Sequence, residues 1–227
     1  MSNSSTPKKS STSALRARGI QLFNELSEQL KKLNINSPAF DETNPFIFME
    51  LNEDQINEIF SSIEHTLNNL ALSVEKTKNQ DNLNLNQLWS FLAENKLKYP
   101  IDLFDYITTG DIIEVYDNEN KQVFRSFDFF RHCTYSLDEL FSTPWNELYY
   151  RDEVHIIEYM RLLSTLLEQK SKDVLLVKTV PPHWVSQLKT NRKTSHFLQS
   201  KIICLVYDAQ DNIKGYIHTQ KILDPFM

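Results

Sequence analysis

The sequence predicts an α+β fold: an antiparallel sheet with helices packed on one face, preceded by an N-terminal helical region. Three observations carry this. The first hundred residues hold apolar side chains at helical spacing and little strand-like alternation. Two hairpin-like segments, 111–126 and 197–222, flank the second half of the chain. Between them lies a long helical pattern, so helices sit among strands joined by short connections, as an antiparallel sheet allows.

The elements follow in order. Residues 1–13, MSNSSTPKKSSTS, are Ser/Thr-rich and read as a disordered tail. From Ala14 to Leu33 the apolar positions Leu15, Ile20, Leu22, Phe23, Leu26, Leu30 and Leu33 suit a helix. A loop with two prolines follows. Asn52 is the expected N-cap of a second helix, with acids in its first turn. Its stripe of Ile56, Ile59, Phe60, Ile63, Leu67, Leu70 and Val74 must bury against something. Packing within the chain is the first expectation and a helical dimer face the second. Leu85 to Leu97 reads as a third helix, which the Tyr99-Pro100 step ends. The helical region therefore spans 14–98, as two or three helices.

Asp111–Tyr116 and Gln122–Ser126 then form a hairpin about the turn at 117–120. Short helices are expected over Phe129–Cys133 and Ser136–Phe141, the second opened by the capping box Ser136-Leu-Asp-Glu139. Glu153 to Gln169 is a longer helix. Val174–Val180 is β-rich and stops at Pro181-Pro182, after which His183 and Trp184 read as a loop anchor. Phe197–Tyr207 and Ile213–Ile222 close the chain as strands about the turn Asp208–Asn212.

Composition narrows the function classes. Only three glycines occur, too few for the phosphate-cradling loops of Walker or dinucleotide-binding motifs. The two cysteines have no metal-ligand spacing and form no disulfide framework, so no metal site is expected. The formal net charge of −6 disfavours nucleic-acid binding. It is unevenly spread, with thirteen acidic against four basic residues over 101–158 and ten basic against five acidic over 159–227. Solvated faces of differing sign are the first reading, partner steering the second. No run is long and apolar enough for a membrane span, and the N-terminus lacks a secretory apolar core, so a cytoplasmic location is expected.

Four segments resemble the PAS domain family. They are Gly110-Asp-Ile-Ile-Glu-Val-Tyr-Asp117, Phe130-Arg-His-Cys-Thr-Tyr-Ser-Leu-Asp-Glu-Leu-Phe141, Pro144-Trp-Asn-Glu-Leu-Tyr-Tyr-Arg-Asp152, and Ile202–Gly215. Departures are Thr134 and Tyr150, which stand where the family often has Gly and His, and a longer basic segment over 181–195. The resemblance implies a PAS-like domain over 103–224. It also implies an intracellular signalling role in which that domain senses a small molecule or binds a protein partner, with output through protein–protein interaction. The alternative is a non-sensing adaptor whose core is filled. Neither reading is an enzyme, and no Ser/His/Asp or paired-carboxylate set emerges from spacing. His132 beside Cys133 is a poor nucleophile–base pair, because neighbours on a helix point apart.

The resemblance places His155, Met160, Trp145, Phe130 and Tyr135 around the family's cavity, within a dense aromatic set of Phe124, Phe127, Phe129 and Phe141. It admits haem or flavin as cofactor and favours neither. His155, near the start of the long helix, is the haem-ligand candidate. Its plain alternative is a solvent-facing residue beside Asp152 and Glu153. Expected partners are thus another protein, a small-molecule ligand, and a second copy of the chain through the N-terminal helices.

Overall fold

A computed structural model of the chain describes residues 8–76, 83–188 and 194–224. Its helices are α1 (Lys8–Lys32), α2 (Glu53–Lys76), α3 (Leu83–Glu94), α4 (Phe127–His132), α5 (Leu137–Ser142), α6 (Trp145–Leu148) and α7 (Glu153–Gln169), with short 3-10 turns at Ile47–Glu50 and Leu103–Tyr106. Its strands are β1 (Asp111–Asp117), β2 (Gln122–Arg125), β3 (Tyr149–Arg151), β4 (Leu175–Leu176), β5 (His183–Gln187), β6 (Ser195–Tyr207) and β7 (Ile213–Ile222). The fold class is α+β, as the sequence predicts. No helix among the described residues is long and apolar enough to cross a membrane.

The chain divides into two compact units. One combines the chain up to Asn68 with Tyr135–Thr143; the other combines Asn69–Thr134 with the chain from Pro144 onward. This differs from the expected boundaries, since α5 joins the N-terminal unit and α3 joins the sheet. The helix α1 also begins at Lys8, so residues 8–13 are helical rather than part of the tail; residues 1–7 lie outside the described residues. Once a helix is nucleated each added residue gains a backbone hydrogen bond, so the polar Lys-Ser-Ser-Thr-Ser run extends the turn ahead of it.

In the N-terminal unit, Phe23 packs on Phe48 at 5.5 Å between ring centroids, and Phe48 on Phe60 at 5.8 Å. Ile56, Ile59 and Ile63 are buried with them, so the first part of the α2 stripe serves as internal core. The side chain of Val74 lies outside those described. Asn52 caps α2 as expected: its Oδ1 accepts from the Gln55 amide at 3.0 Å, and Gln55 Oε1 accepts from the Asn52 amide at 3.1 Å. The α5 capping box is complete, with the Ser136 hydroxyl and the Glu139 carboxylate each accepting the other's backbone N–H. Two backbone bonds, Leu137 N–H to Pro38 O (2.8 Å) and Asp138 N–H to Ala39 O (3.1 Å), fasten α5 into this unit.

The second unit is built on one antiparallel sheet in the order β2-β1-β7-β6-β5-β3, with β4 also paired to β6. One face is dry. Ile113 and Val115 of β1, Ile217 of β7, and Ile202, Cys204 and Val206 of β6 pack there with Leu88, Phe91 and Leu92 of α3. Burying each such side chain contributes about 1.5–3 kcal/mol. On the opposite face Leu163 and Leu166 of α7 cover Ile203, Leu205, Tyr207, Tyr116 and Tyr216. The remainder of that second face, toward β5 and β3, is not filled.

Three sequence expectations change here. His183 and Trp184 are not a loop anchor but begin β5, which pairs with both β6 and β3. The β-rich run 174–180 contributes only Leu175 and Leu176 to the sheet. The basic Lys-Thr-Asn-Arg-Lys segment, 189–193, lies outside the described residues.

Candidate functional site

The unfilled part of the second face is a cavity of two chambers that share Tyr116, Trp145 and Arg151 in their walls. Their volumes are about 50 and about 100 Å³. Period-two alternation places the strand residues. Ile112, Glu114 and Tyr116 of β1 face inward, as do His218 and Gln220 of β7, Ser200 of β6, Tyr149 and Arg151 of β3, and His183, Val185 and Gln187 of β5. Helical periodicity does the same for α7, where His155 and Tyr159 stand one turn apart above Leu163. The Asp152 side chain caps that helix by accepting the Val154 amide at 3.0 Å, which fixes its phase at the site.

The first chamber centres on Glu114, which is almost fully buried. Its carboxylate accepts from Tyr116 Oη at 3.0 Å, from Gln122 Nε2 at 2.5 Å and from Gln220 Nε2 at 2.5 Å. His218 Nδ1 stands 3.5 Å from its Oε2. Burial alone would raise the Glu114 carboxyl, but His218, the Arg151 charge and the Tyr116 hydroxyl outweigh it and hold it below the ordinary value. Arg151 reaches the same network through Gln220, donating from Nη2 to Oε1 at 3.0 Å. His218 is pushed down by burial and by Arg151, partly offset by Glu114, and its Nε2 lies 3.2 Å from Ser200 Oγ.

The second chamber has a different character. His155 and His183 stack at 4.3 Å between ring centroids with 13° between their planes. His183 is pushed down, by burial first and by Arg151, His155 and His218 among the neighbouring charges. Its Nδ1 lies 3.0 Å from the Pro181 carbonyl. A carbonyl only accepts, so Nδ1 carries the proton and Nε2 of the neutral ring presents a lone pair. Tyr159 meets the His218 ring edge-on at 4.8 Å. Four residues of this chamber each carry a buried polar atom without a hydrogen-bond partner: Arg151 Nε, His155 Nδ1, Tyr159 Oη and His183 Nε2. Such atoms normally find partners, and each one left bare costs about 1–3 kcal/mol.

Of the residues expected around a cavity, Trp145, His155 and Met160 line the second chamber. Phe130 and Tyr135 do not: both are buried, but neither belongs to a chamber wall, and Tyr135 falls in the N-terminal unit. The neighbouring Phe129 takes the place expected of Phe130, because a one-residue step along α4 turns the side chain by about a quarter circle. Phe124 packs on Phe91 on the opposite face of the sheet, and Phe141 on Phe23 in the N-terminal unit. His155 is not solvent-facing despite its acidic neighbours. Glu114, Arg151, His183, His218 and Gln220, the polar centre of the site, were not picked out from the sequence. A signal for three of them exists: lone polar residues at alternate positions of otherwise apolar strands, as in Ile-Ile-Glu-Val-Tyr and Tyr-Ile-His-Thr-Gln.

Neither haem nor flavin fits this cavity. The His155 ring is stacked on His183, so the chamber already holds a second ring against it. The chamber it lines, at about 100 Å³, does not have the volume of a porphyrin or an isoalloxazine ring. Among the described residues no group of three or more His, Cys, Asp or Glu is arranged to hold a metal ion.

Cys133 lines the first chamber, and its Sγ lies 3.6 Å from Tyr149 Oη. The adjacent His132 instead meets His196, edge to face at 5.7 Å. The two side chains of that sequence pair thus face different neighbours. Cys204 is deeply buried on the dry face, where burial pushes its thiol well up and leaves it unreactive. No protein-family model matches the chain, and no curated protein is similar to it.

Proposed function

We propose that the sheet unit is a PAS-like sensor module that takes a small polar molecule into the two-chambered cavity and passes its occupancy to a protein partner in the cytoplasm. The observation that carries this reading is the convergence of four unpartnered buried polar atoms, on Arg151, His155, Tyr159 and His183, around one chamber. A core packed to ordinary density has no such chamber, and a polar wall is stabilised only when something hydrogen-bonds to it. This favours ligand binding over the filled-core adaptor. Output through a partner is supported by Val154 and Ile157 of α7, which stand 70% and 61% exposed one turn apart on the helix that lines the chamber. A ligand gripped by His155 and Tyr159 would act on the same helix that offers them.

Native mass spectrometry of the purified chain tests the reading, together with thermal melts of a Val180→Phe variant that fills the second chamber. The expected result is a small co-purifying molecule, or a metabolite mixture that raises Tm, with the effect lost in the variant. If no compound binds and Val180→Phe melts higher than the parent with partner binding intact, the adaptor reading replaces this one.

A further inference from the structure

We propose that the second chamber takes a small uncharged molecule that carries a primary amide on a flat ring; this rests on the ligand-binding reading above and specifies its chemistry.

Charge excludes ions of both signs. Arg151 brings a full positive charge to the wall of the second chamber. The buried Glu114 carboxylate lies just behind that wall, accepting from Tyr116 Oη at 3.0 Å and standing 3.5 Å from His218 Nδ1. The two charges offset each other. Burial is the main cause that raises the Tyr159 and Tyr216 hydroxyls, and at both of them Glu114 outweighs Arg151. At His183, which burial pushes down, Arg151 leads the neighbouring charges. An anion or a cation entering the chamber would shed its hydration without meeting an uncompensated opposite charge.

The unspent hydrogen-bonding groups then select an amide. Part of the polar wall is satisfied within the protein: Tyr216 Oη donates to Asn120 Oδ1 at 3.2 Å, and Ser200 Oγ lies 3.2 Å from His218 Nε2. Arg151 Nε and Tyr159 Oη are bare donors. His183 Nε2 is a bare acceptor, because the proton of that ring is held at Nδ1 by the Pro181 carbonyl. His155 Nδ1 serves in either sense, according to its tautomer. An amide oxygen has two lone pairs for the two donors, and its NH2 has two hydrogens for the two imidazole nitrogens. A ketone or ester has no hydrogen to give. Shape agrees, since the rings of Tyr116, Trp145, His155, Tyr159, His183 and Tyr216 enclose the space and flat groups pack against ring faces and edges. A polyol could meet the same atoms but would stack on none of these rings. Size agrees too: a water needs about 10–15 Å³, so a chamber of about 100 Å³ takes a molecule of about six to ten non-hydrogen atoms.

Calorimetric titration of the purified chain with benzamide, sodium benzoate, benzamidinium chloride and acetophenone tests this. The four share one outline and differ in charge and in hydrogen-bond donors. Benzamide is expected to bind saturably. Benzoate and benzamidinium, which carry a charge, and acetophenone, which lacks the donor, are each expected to bind at least about tenfold more weakly. Tyr159→Phe is expected to weaken benzamide by about tenfold while leaving the Tm of the free protein unchanged or raised, because it deletes a bare buried hydroxyl; a merely structural tyrosine would lower Tm instead. His183→Phe keeps a ring against His155 and removes the acceptor, so the preference for benzamide over acetophenone is expected to vanish. If benzoate or benzamidinium binds as well as benzamide, the chamber is not charge-balanced and the proposal is wrong. If acetophenone binds as well, or Tyr159→Phe leaves benzamide affinity unchanged, the amide assignment is wrong while the binding cavity stands. If none of the four binds, the amide assignment falls, and the ligand-binding reading falls with it only if native mass spectrometry also finds no small molecule on the chain.

Discussion

Glu114 and His218 face each other across the β1–β7 ladder, directly opposed in register, with His218 Nδ1 3.5 Å from Glu114 Oε2 and both side chains almost fully buried. Their effects on stability point the same way as pH falls. The folded pKa of His218 is depressed, so the unfolded chain binds its proton first. Stability is then full above the unfolded histidine value of about 6.5 and declines as pH drops below it. His183 and His132 are depressed too and add to the same decline. Glu114, also depressed, adds a second loss that begins below its ordinary value of 4.5. Thermal melts between pH 8 and pH 4 are expected to show a plateau above pH 7, a fall beginning near pH 6.5, and a steeper fall under pH 4.5. A flat Tm from pH 7 to pH 5 would show that these rings are not held neutral.

The Glu114 carboxylate is the common acceptor for Tyr116, Gln122 and Gln220. Glu114→Gln removes the charge while keeping the shape. It sets amide hydrogens against side chains that already donate and leaves Arg151 without its nearest counter-charge. The expected loss is about 1–3 kcal/mol, read by urea denaturation. Glu114→Ala is expected to lose more, since it also opens a void between β1 and β7. A Glu114→Gln protein as stable as the parent would mean that the network contributes nothing net.

In the N-terminal unit one carboxylate holds a loop. Asp138 accepts the backbone N–H groups of Ile47 at 2.7 Å and Phe48 at 3.1 Å, and the Ser142 hydroxyl lies 3.3 Å away. Burial raises its pKa above the ordinary value, and these hydrogen bonds only partly counter that. Asp138→Ala orphans two N–H groups of the 3-10 turn that seats Phe48, and an expected 2–4 kcal/mol, about one to two unmade buried bonds, is lost. Asp138→Asn keeps one of the two accepting oxygens and turns its NH2 against the other N–H, so it is expected to lose about one bond and to cost less than Asp138→Ala. Chemical denaturation of the two variants checks the order; the reverse order would assign the role to the charge and not to the acceptor geometry.

The elements legible in the sequence are those whose side chains obey one period. Glu153–Gln169 coincides with its expected span because its apolar residues repeat at helical spacing and Asp152 caps it. The terminal hairpin is legible because β-branched and aromatic residues flank a turn rich in Asp and Asn. β3 and β5 were not legible for the reason that makes them interesting. Their inward residues, Arg151, His183 and Gln187, face a polar cavity, so the apolar alternation that reveals a strand is missing. β3 is also only three residues long. His155 misled in a similar way, since its acidic neighbours suggested solvent while helix phase turned it inward onto His183. Trp145 and Met160 were reachable through the family resemblance. Glu114 and His218 leave a local trace as polar residues within apolar strands, but their meeting with Arg151 needs the register between strands distant in sequence, which no local pattern contains.

Gly215 offers a last test, because it connects backbone packing to the cavity. It sits in β7 opposite Asp117, at φ 154°, and a Cβ built there would lie 1.9 Å from the Tyr116 carbonyl oxygen. That atom is backbone and cannot swing aside, so Gly215→Ala must push β1 away from β7 at Tyr116. The Tyr116 ring stacks on Tyr216 at 5.0 Å and belongs to the wall of both chambers. Gly110 provides the control: its φ is 83°, but a Cβ there meets nothing within 4 Å. Gly110→Ala carries only the left-handed backbone penalty, about 1–2 kcal/mol. Gly215→Ala adds a steric clash to its strain and is expected to exceed that, at about 3 kcal/mol or more. It should also weaken whatever binds beside Tyr116. Urea denaturation of both variants, with native mass spectrometry for a co-purifying molecule on any that fold, separates the two effects. Equal stability losses would show that the β1–β7 ladder gives way freely at this point, and that the cavity wall is softer than its stacked tyrosines imply.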